Sequence, residues 1–154
     1  MILNVSGYAD GNKKNILDIE KVVVNIDIGV KKKKFAQIEL KRFNTTYLSS
    51  DDICFFYEAE EPYTLRLTRI KVKHEYGDHL FYYYFDDHEN LIKFVAERIG
   101  YPDNPPKVKI FFDENMKVIS KNFDYNLPMT VDDIKKNFSN FKEQINHFLK
   151  IHGI

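Results

Sequence analysis

The chain has 154 residues, a length typical of one domain that buries a single hydrophobic core. Lys plus Arg and Asp plus Glu number 23 each, so the formal net charge is zero. This balance disfavours a duplex-binding protein, because such proteins use an excess of basic residues to displace counterions from phosphates. We therefore expect one domain over residues 1–154.

The single cysteine, Cys54, excludes an internal disulfide and a multi-cysteine zinc site. It lies in the apolar run ICFFY, which predicts a buried and inert thiol. No apolar run approaches the roughly 18 residues of a membrane-spanning helix, and the N-terminus lacks the pattern of a signal peptide. These features predict a cytoplasmic protein without a membrane contact.

The N-terminal region shows an alternating apolar pattern. Every second residue from Val22 to Ile28 is apolar, which predicts a strand with one apolar face. We therefore expect the first part of the chain to be rich in strands. The run Lys31–Lys34 follows and is interpreted as a solvated turn rather than a phosphate-binding patch, because no aromatic residues alternate with the lysines.

The middle of the chain is rich in strand signals. Residues 35–43, FAQIELKRF, alternate as a strand does but contain helix formers, so both structures stay open and the alternation favours a strand. Ile53–Glu58 and Tyr63–Lys73 are rich in β-branched and aromatic residues. Leu80–Phe85 is expected to pair with the second of these strands through a turn at Gly77.

A helix is predicted over His88–Ile99. Asp86 or Asp87 can serve as its N-cap, and Gly100 with the proline-rich stretch YPDNPP is a suitable end.

The C-terminal region predicts a hairpin followed by a long helix. Val108–Phe112 alternates along a strand, DEN supplies the turn, and a second strand returns. The helix is predicted over Thr130–His152, with Thr130 as N-cap and Asp133 three residues later, as in a capping box. One apolar stripe runs along it: Ile134, Phe138, Phe141, Ile145, Phe148 and Leu149.

These elements predict an α+β fold. A twisted antiparallel sheet is expected to carry both helices, His88–Ile99 and Thr130–His152, on one face.

The element order from Ile53 onward resembles that of the type III secretion chaperone-like superfamily, including its YbjN-type bacterial members. The likeness covers about the last 100 residues, where NFDYNLPMTVDD leads from a hairpin into the C-terminal amphipathic helix. That group opens with a helix, which only FAQIELKRF supplies here, so the resemblance implies that residues 1–30 are an added strand-rich N-terminal extension. The resemblance implies a small, often dimeric, protein-binding α+β module without enzymatic activity, and it carries over no functional residues.

Catalytic and metal-binding patterns are missing from the sequence. No histidine pair has the spacing of a zinc site on a helix, and no glycine-rich phosphate loop or nucleophile motif occurs. Glu58, Glu60 and Glu61 are explained by a solvated strand end, with no partner base in view. We expect no catalytic residues, metal or cofactor. An enzyme stays an alternative, because catalytic groups can converge from distant positions in the sequence.

The aromatic stretch LFYYYF provides the candidate functional surface. Along a strand, Leu80, Tyr82 and Tyr84 point to one side. This side is expected to be the wetter one, because a tyrosine hydroxyl needs a partner or water. Together with the basic neighbouring strand, it predicts a set of partner-binding residues: Tyr63, Arg66, Arg69, Lys71, Tyr82 and Tyr84.

Tyrosine beside arginine is typical of protein interfaces, and the same pair stacks single-stranded nucleic acid. The neutral net charge favours a protein partner. We expect a non-catalytic protein-binding module, either a chaperone-like adaptor or an inhibitor or immunity protein that covers a toxin or effector. The alternative is single-stranded nucleic-acid binding through Lys31–Lys34, Arg66, Arg69 and the tyrosines, and a small enzyme is a third hypothesis.

Overall fold

A computed structural model describes residues 10–44, 49–72, 77–127 and 129–151 of the chain. Within these ranges lie two helices and seven strands. In chain order they are α1 (Asp10–Lys31), β1 (Ala36–Asn44), β2 (Ser49–Tyr57), β3 (Leu65–Val72), β4 (His79–Phe85), β5 (Leu91–Arg98), β6 (Lys107–Phe112), β7 (Val118–Phe123) and α2 (Val131–Ile151).

The seven strands form one antiparallel sheet in which each strand pairs with its neighbour in the chain. The order β1-β2-β3-β4-β5-β6-β7 leaves β1 and β7 at the edges. The predicted α+β class, the β3–β4 pairing and the β6–β7 hairpin are confirmed. Residues 35–43, for which helix and strand both stayed open with a strand favoured, lie in β1 apart from Phe35.

Helices α1 and α2 pack on opposite faces of the sheet. The predicted arrangement, with His88–Ile99 and Thr130–His152 on one face, is not confirmed. Alternation along β4 separates the two cores, because Phe81, Tyr83 and Phe85 join the core beneath α2. Tyr82 and Tyr84 instead face the core beneath α1. The sheet is therefore the middle layer of three.

The predicted N-terminal strand over Val22–Ile28 is wrong, since these residues belong to α1. Spacings of three and four residues place Ile16, Ile19, Val23 and Ile26 on one buried side of the helix. The strand-rich extension is likewise wrong for residues 10–30, and residues 1–9 lie outside the described part of the chain.

The predicted helix His88–Ile99 is also wrong, because this stretch forms β5. Asp86 caps a hairpin turn instead of a helix, since its Oδ1 accepts hydrogen bonds from the backbone N–H groups of His88 and Asn90, both at 2.9 Å. Every residue from Leu91 to Ala96 is buried. A strand covered on both faces loses the alternation that would distinguish it from a helix.

The C-terminal helix is confirmed as α2, whose residues 131–151 lie within the predicted range, while His152 lies outside the described residues. Its capping box is present. The Thr130 N–H donates to Asp133 Oδ2 at 2.9 Å, and the Asp133 N–H donates to Thr130 Oγ1 at 3.2 Å. Among the described residues, neither helix combines the length and apolar character that a membrane span requires.

Candidate functional site

Helix α1 covers one cross-strand row of the sheet. The row beneath it comes from five neighbouring strands: Phe56, Leu67, Tyr84, Lys93 and Phe111. Most of these side chains belong to the apolar core that α1 closes. The part of this sheet face that α1 leaves uncovered carries the candidate site residues.

Two polar contacts hold α1 over its row. Glu20 forms a buried ion pair with Lys93, and the Tyr84 hydroxyl donates a hydrogen bond to Asp27 Oδ1 at 2.9 Å. Burial lowers the pKa of Lys93, and the Glu20 carboxylate partly offsets this effect. Burial also raises the pKa of Tyr84 above its usual value. The helix thus has a defined position on the sheet.

Beside α1, strands β1 to β4 place one row of directly opposite residues: Glu39, Cys54, Arg69 and Tyr82. The adjacent row on the same face runs from β2 to β5: Asp52, Lys71, Leu80 and Glu97. Adjacent strands lie about 4.8 Å apart, so neighbouring side chains in a row can reach the same ligand group.

The two rows line a groove of about 410 Å³. Its lining residues are Glu39, Leu40, Asp52, Ile53, Cys54, Arg69, Lys71, Leu80 and Tyr82. Acidic groups come from β1 and β2, basic groups come from β3, and the aromatic group comes from β4. Among the described side chains, none of the four charged groups forms an ion pair within 4.0 Å. Their charges therefore remain available to a ligand.

Contacts with neighbouring rings orient Arg69 and Tyr82. The Arg69 guanidinium lies 5.3 Å from the centroid of the Phe56 ring, and Tyr82 stacks on Tyr84 with 6.3 Å between centroids. Burial and the nearby Glu97 carboxylate raise the pKa of Tyr82, and Arg69 opposes this shift. The Tyr82 hydroxyl thus remains a hydrogen-bond donor at neutral pH.

Cys54 lies at the base of the groove and is 5% exposed. Burial raises the pKa of its thiol to about 11, so the thiol stays protonated near pH 7. The expected buried position of this cysteine is confirmed.

The groove brings together three of the six predicted site residues, Arg69, Lys71 and Tyr82. Tyr84 lies on the same face but is buried beneath α1 with its hydroxyl bonded to Asp27. The expectation of a wet tyrosine face therefore applies to Tyr82 and not to Tyr84.

The other two predicted residues lie away from the groove. Arg66 Nη1 pairs with Glu58 Oε1 at 3.0 Å, and its Nε donates to the Phe85 carbonyl at 3.4 Å. Tyr63 packs against the core on the α2 side and has a positive φ of 55°. Neither side chain contributes to the lining of the groove.

The sequence did not predict the two acidic residues that line the groove, Glu39 and Asp52. Their position depends on the register between β1 and β2, in which Glu39 lies opposite Cys54. Alternation along FAQIELKRF identifies the face on which Glu39 lies, but it does not identify the neighbouring strand.

Lys31 ends α1, and Lys32–Lys34 form an exposed turn that leads into β1, whereas a solvated turn between two strands was predicted. The Lys34 N–H donates to the Gly29 carbonyl at 2.9 Å, which closes the turn. Glu39 comes three residues after the start of β1, about 10 Å along the strand. The lysine run is therefore separate from the groove.

Within the described ranges, no group of three or more His, Cys, Asp or Glu side chains could hold a metal ion. His74 lies outside these ranges.

No protein-family model, curated protein or solved structure matches the chain. The element order from Ile53 onward contains a strand, β5, where the secretion-chaperone resemblance expects a helix.

Proposed function

We propose that the protein is a non-catalytic protein-binding module that covers a surface of its partner with the sheet face beside α1. It acts either as a chaperone-like adaptor or as an inhibitor or immunity protein for a toxin or effector. We also propose that the protein is located in the cytoplasm.

The observation that carries the proposal is the groove in which Arg69, Lys71 and Tyr82 meet two carboxylates. Arginine and tyrosine are enriched at the centres of protein interfaces, where they provide large contact areas and hydrogen bonds. Their side chains are already oriented by ring contacts in the free protein. Such preorganisation reduces the conformational entropy lost on binding.

The mixed charge of the groove favours a protein over a nucleic acid. Glu39 and Asp52 line the same groove as Arg69 and Lys71. A phosphate backbone is attracted by the basic pair but repelled by the carboxylates, whereas a protein surface can present both signs in matching positions.

The proposal is tested by site-specific photo-crosslinking in the source cell. A photoreactive residue replaces Leu80, which lines the groove, or Lys121, an exposed residue of β7 that serves as the control position. We expect one protein to crosslink at position 80 and not at position 121, and mass spectrometry identifies it.

The identified partner is then purified and titrated calorimetrically against the variants. Arg69→Ala and Lys71→Ala are each expected to weaken binding about tenfold or more, the usual range for a central interface residue. Lys117→Ala, at an exposed lysine before β7, should leave the affinity unchanged.

Two outcomes would contradict the proposal. One is a partner that binds Arg69→Ala and Lys71→Ala as tightly as the unmodified protein. The other is an adduct at position 80 that contains nucleic acid, together with oligonucleotide binding that weakens steeply with salt. The second outcome would support the nucleic-acid alternative.

A further inference from the structure

The polar sheet face beside α1 continues beyond β4. Tyr82 lies opposite Val95 on β5, which lies opposite Lys109 on β6, and Glu97 on β5 lies opposite Lys107 on β6. The two lysines line a second groove of about 280 Å³, which reaches β7. Together the two rows beside α1 therefore cross the sheet from β1 to β6, about 24 Å at the usual spacing between strands.

Opposite charges on this face recur two strands apart. Glu39 on β1 and Arg69 on β3 belong to one row. Lys71 on β3 and Glu97 on β5 belong to the other row. Each step spans about 9.6 Å, twice the distance between neighbouring strands. From β1 to β5 the face is thus acidic, then basic, then acidic, and Asp52 on β2 adds to the first acidic region.

Helix α1 borders this face and has an exposed apolar side. Three large aliphatic residues of α1 are about half exposed: Leu17 (48%), Val24 (48%) and Ile28 (42%). Measured around the helix from the buried Val23, at about 100° per residue, they lie in the direction of Asp27, whereas Gly29 lies in the opposite direction. The exposed Lys21 and Lys31 lie on either side of the apolar residues.

Contacts with the sheet show that the Asp27 side of α1 faces the groove. Burial raises the pKa of Tyr82, a residue of the groove, and the nearby Asp27 carboxylate adds to this shift. The Gly29 side packs against the Phe35 ring. Phe35 and the groove residue Glu39 lie on opposite sides of the row that α1 covers. The exposed apolar residues of α1 therefore lie beside the groove.

We propose that the partner protein binds this face through an amphipathic α-helix that lies beside α1 and across the strands. This inference rests on the proposed function, because it specifies which part of a protein partner occupies the groove. Two packed helices lie 8–10 Å apart. Side chains on one face of a strand follow each other at about 6.7 Å, so the axis of a helix packed beside α1 lies between the two rows.

The spacing of the charges favours a helix over an extended segment. Seven residues of a helix rise about 10.5 Å and return to nearly the same side, which matches the step of about 9.6 Å between opposite charges. An extended segment covers this step in about three residues, and side chains three residues apart point to opposite sides. A helix with a base, an acid and a base at seven-residue steps therefore complements the face in either direction.

The apolar side of the partner helix is expected to pack on the apolar side of α1. Acidic residues next to that apolar side would pair with Lys21 and Lys31, which border the aliphatic residues of α1. The occupant is thus a helix with one apolar side and one side of mixed charge.

The positions of crosslinks on the partner test the helix. A photoreactive residue replaces Glu39 on β1 in one variant and Leu80 on β4 in another, and both positions line the groove. They lie three strands apart, about 14.4 Å. A helix spans this distance in about ten residues, so mass spectrometry should find the two crosslinked partner residues about ten positions apart in one segment. An extended segment would place them about four positions apart.

Synthetic helices test the order of charges on the purified full chain. One alanine-based peptide of about 21 residues has leucines on one side and Lys, Glu and Lys at seven-residue steps on the other, and the control peptide has Glu, Lys and Glu instead. Fluorescence anisotropy should give a dissociation constant on the order of 10–100 µM for the first peptide. The control peptide should bind at least about tenfold more weakly.

Variants of the chain connect this preference with the groove. Arg69→Glu together with Lys71→Glu should remove it, because the middle of the face then repels the glutamate of the first peptide. Lys117→Glu together with Lys121→Glu, at exposed lysines before and within β7, is the matched control and should retain it. Val24→Asp should weaken binding of the first peptide about tenfold, since it places a carboxylate on the apolar side of α1. Circular dichroism verifies that each variant is folded.

The failure of this inference differs from the failure of the proposed function. Crosslinks about four residues apart, or in separate segments of the captured protein, overturn the helix but leave a protein partner in the groove. Equal affinity for the two peptides, or binding of neither, overturns the order of charges. If neither Glu39 nor Leu80 captures a protein in the source cell, the proposed function is contradicted and this inference with it.

Discussion

Glu20 in α1 and Lys93 in β5 form an ion pair that is almost fully buried between the helix and the sheet, with 9% and 6% of their side chains exposed. Lys93 Nζ also lies 4.9 Å from the centroid of the Phe111 ring. Because both charges leave water when α1 packs, each depends on the other for compensation. The pair therefore makes the position of α1 specific.

Removing one partner of this pair should destabilise the protein strongly. Glu20→Ala leaves the Lys93 ammonium buried without its counter-charge, and we expect the free energy of unfolding to fall by about 3–5 kcal/mol. The double variant Glu20→Leu with Lys93→Met should recover most of this loss, since apolar side chains can replace a buried pair. Urea denaturation monitored by circular dichroism measures both effects.

The control is Lys142→Ala. Lys142 Nζ lies 3.8 Å from Glu89 Oε1, and both side chains are about one-third exposed, so its loss should change the free energy of unfolding by less than about 1 kcal/mol. If Glu20→Ala costs no more than this control, the ion pair is not buried in solution.

Asp27 should make stability depend on pH. Burial raises the pKa of its carboxyl above the ordinary value of 3.8, and the hydrogen bond from Tyr84 partly opposes the shift. The folded state therefore favours the neutral carboxyl. This contribution to stability is fully present below about pH 3.8 and is lost as the pH rises through the folded-state pKa.

Asp27→Asn tests this dependence, because the amide oxygen can still accept the Tyr84 hydrogen bond. The variant should be more stable than the unmodified protein at pH 7, and the difference should shrink as the pH falls and disappear below about pH 3.8. Urea titrations across this range measure it. Asp103→Asn, in the exposed loop after β5, is the control. A constant difference between Asp27→Asn and the unmodified protein at every pH would exclude titration of Asp27 as its cause.

The sequence predicted α2 because its apolar stripe has one buried side and its capping box is local, involving only Thr130 and Asp133. The two elements that were predicted wrongly, the strand Val22–Ile28 and the helix His88–Ile99, are segments in which apolar residues occupy more than one face. In α1, Val24 and Ile28 are apolar but exposed, so the pattern around them also fits a strand. In β5, burial on both faces removes the alternation.

The candidate site was also predictable only where a local pattern determines the position of a side chain. Arg69, Lys71 and Tyr82 could be predicted because strand alternation assigns each to a face, and pairing of consecutive strands makes them neighbours. The burial of Tyr84 could not, because it depends on the helix that packs over it. Glu39 depends on a register between strands, which no local pattern records.

Tyr83 and Tyr84 are adjacent tyrosines that should respond differently to loss of their hydroxyl groups. The Tyr84 hydroxyl donates to Asp27 Oδ1 at 2.9 Å, whereas the buried Tyr83 hydroxyl meets the Asn137 side chain without good hydrogen-bond geometry. Tyr84→Phe should lower the free energy of unfolding by about 1 kcal/mol, and Tyr83→Phe should change it by less. Thermal and urea unfolding of both variants measure the pair, and equal effects would contradict the assignment.

Cys54 should react slowly with thiol reagents in the folded protein. Burial raises its pKa to about 11, so little thiolate is present at pH 8, and the side chain is 5% exposed. We expect the rate of labelling by a disulfide reagent to rise steeply between pH 8 and about 11. In urea the rate should match that of a free thiol, and fast labelling without urea at pH 8 would show that the groove base is open.

The groove variants should retain the stability of the unmodified protein, so that their effect on binding can be interpreted. Arg69 is half-buried and its clearest contact is with the Phe56 ring, which is worth about 0.5–1 kcal/mol at a partly exposed site. Arg69→Ala should therefore lower the free energy of unfolding by no more than about 1 kcal/mol. Lys71→Ala should have a smaller effect, since Lys71 forms no ion pair among the described side chains. A loss of several kcal/mol in urea denaturation would mean that these charges stabilise the fold, and their binding role would then require charge-conserving variants such as Arg69→Lys.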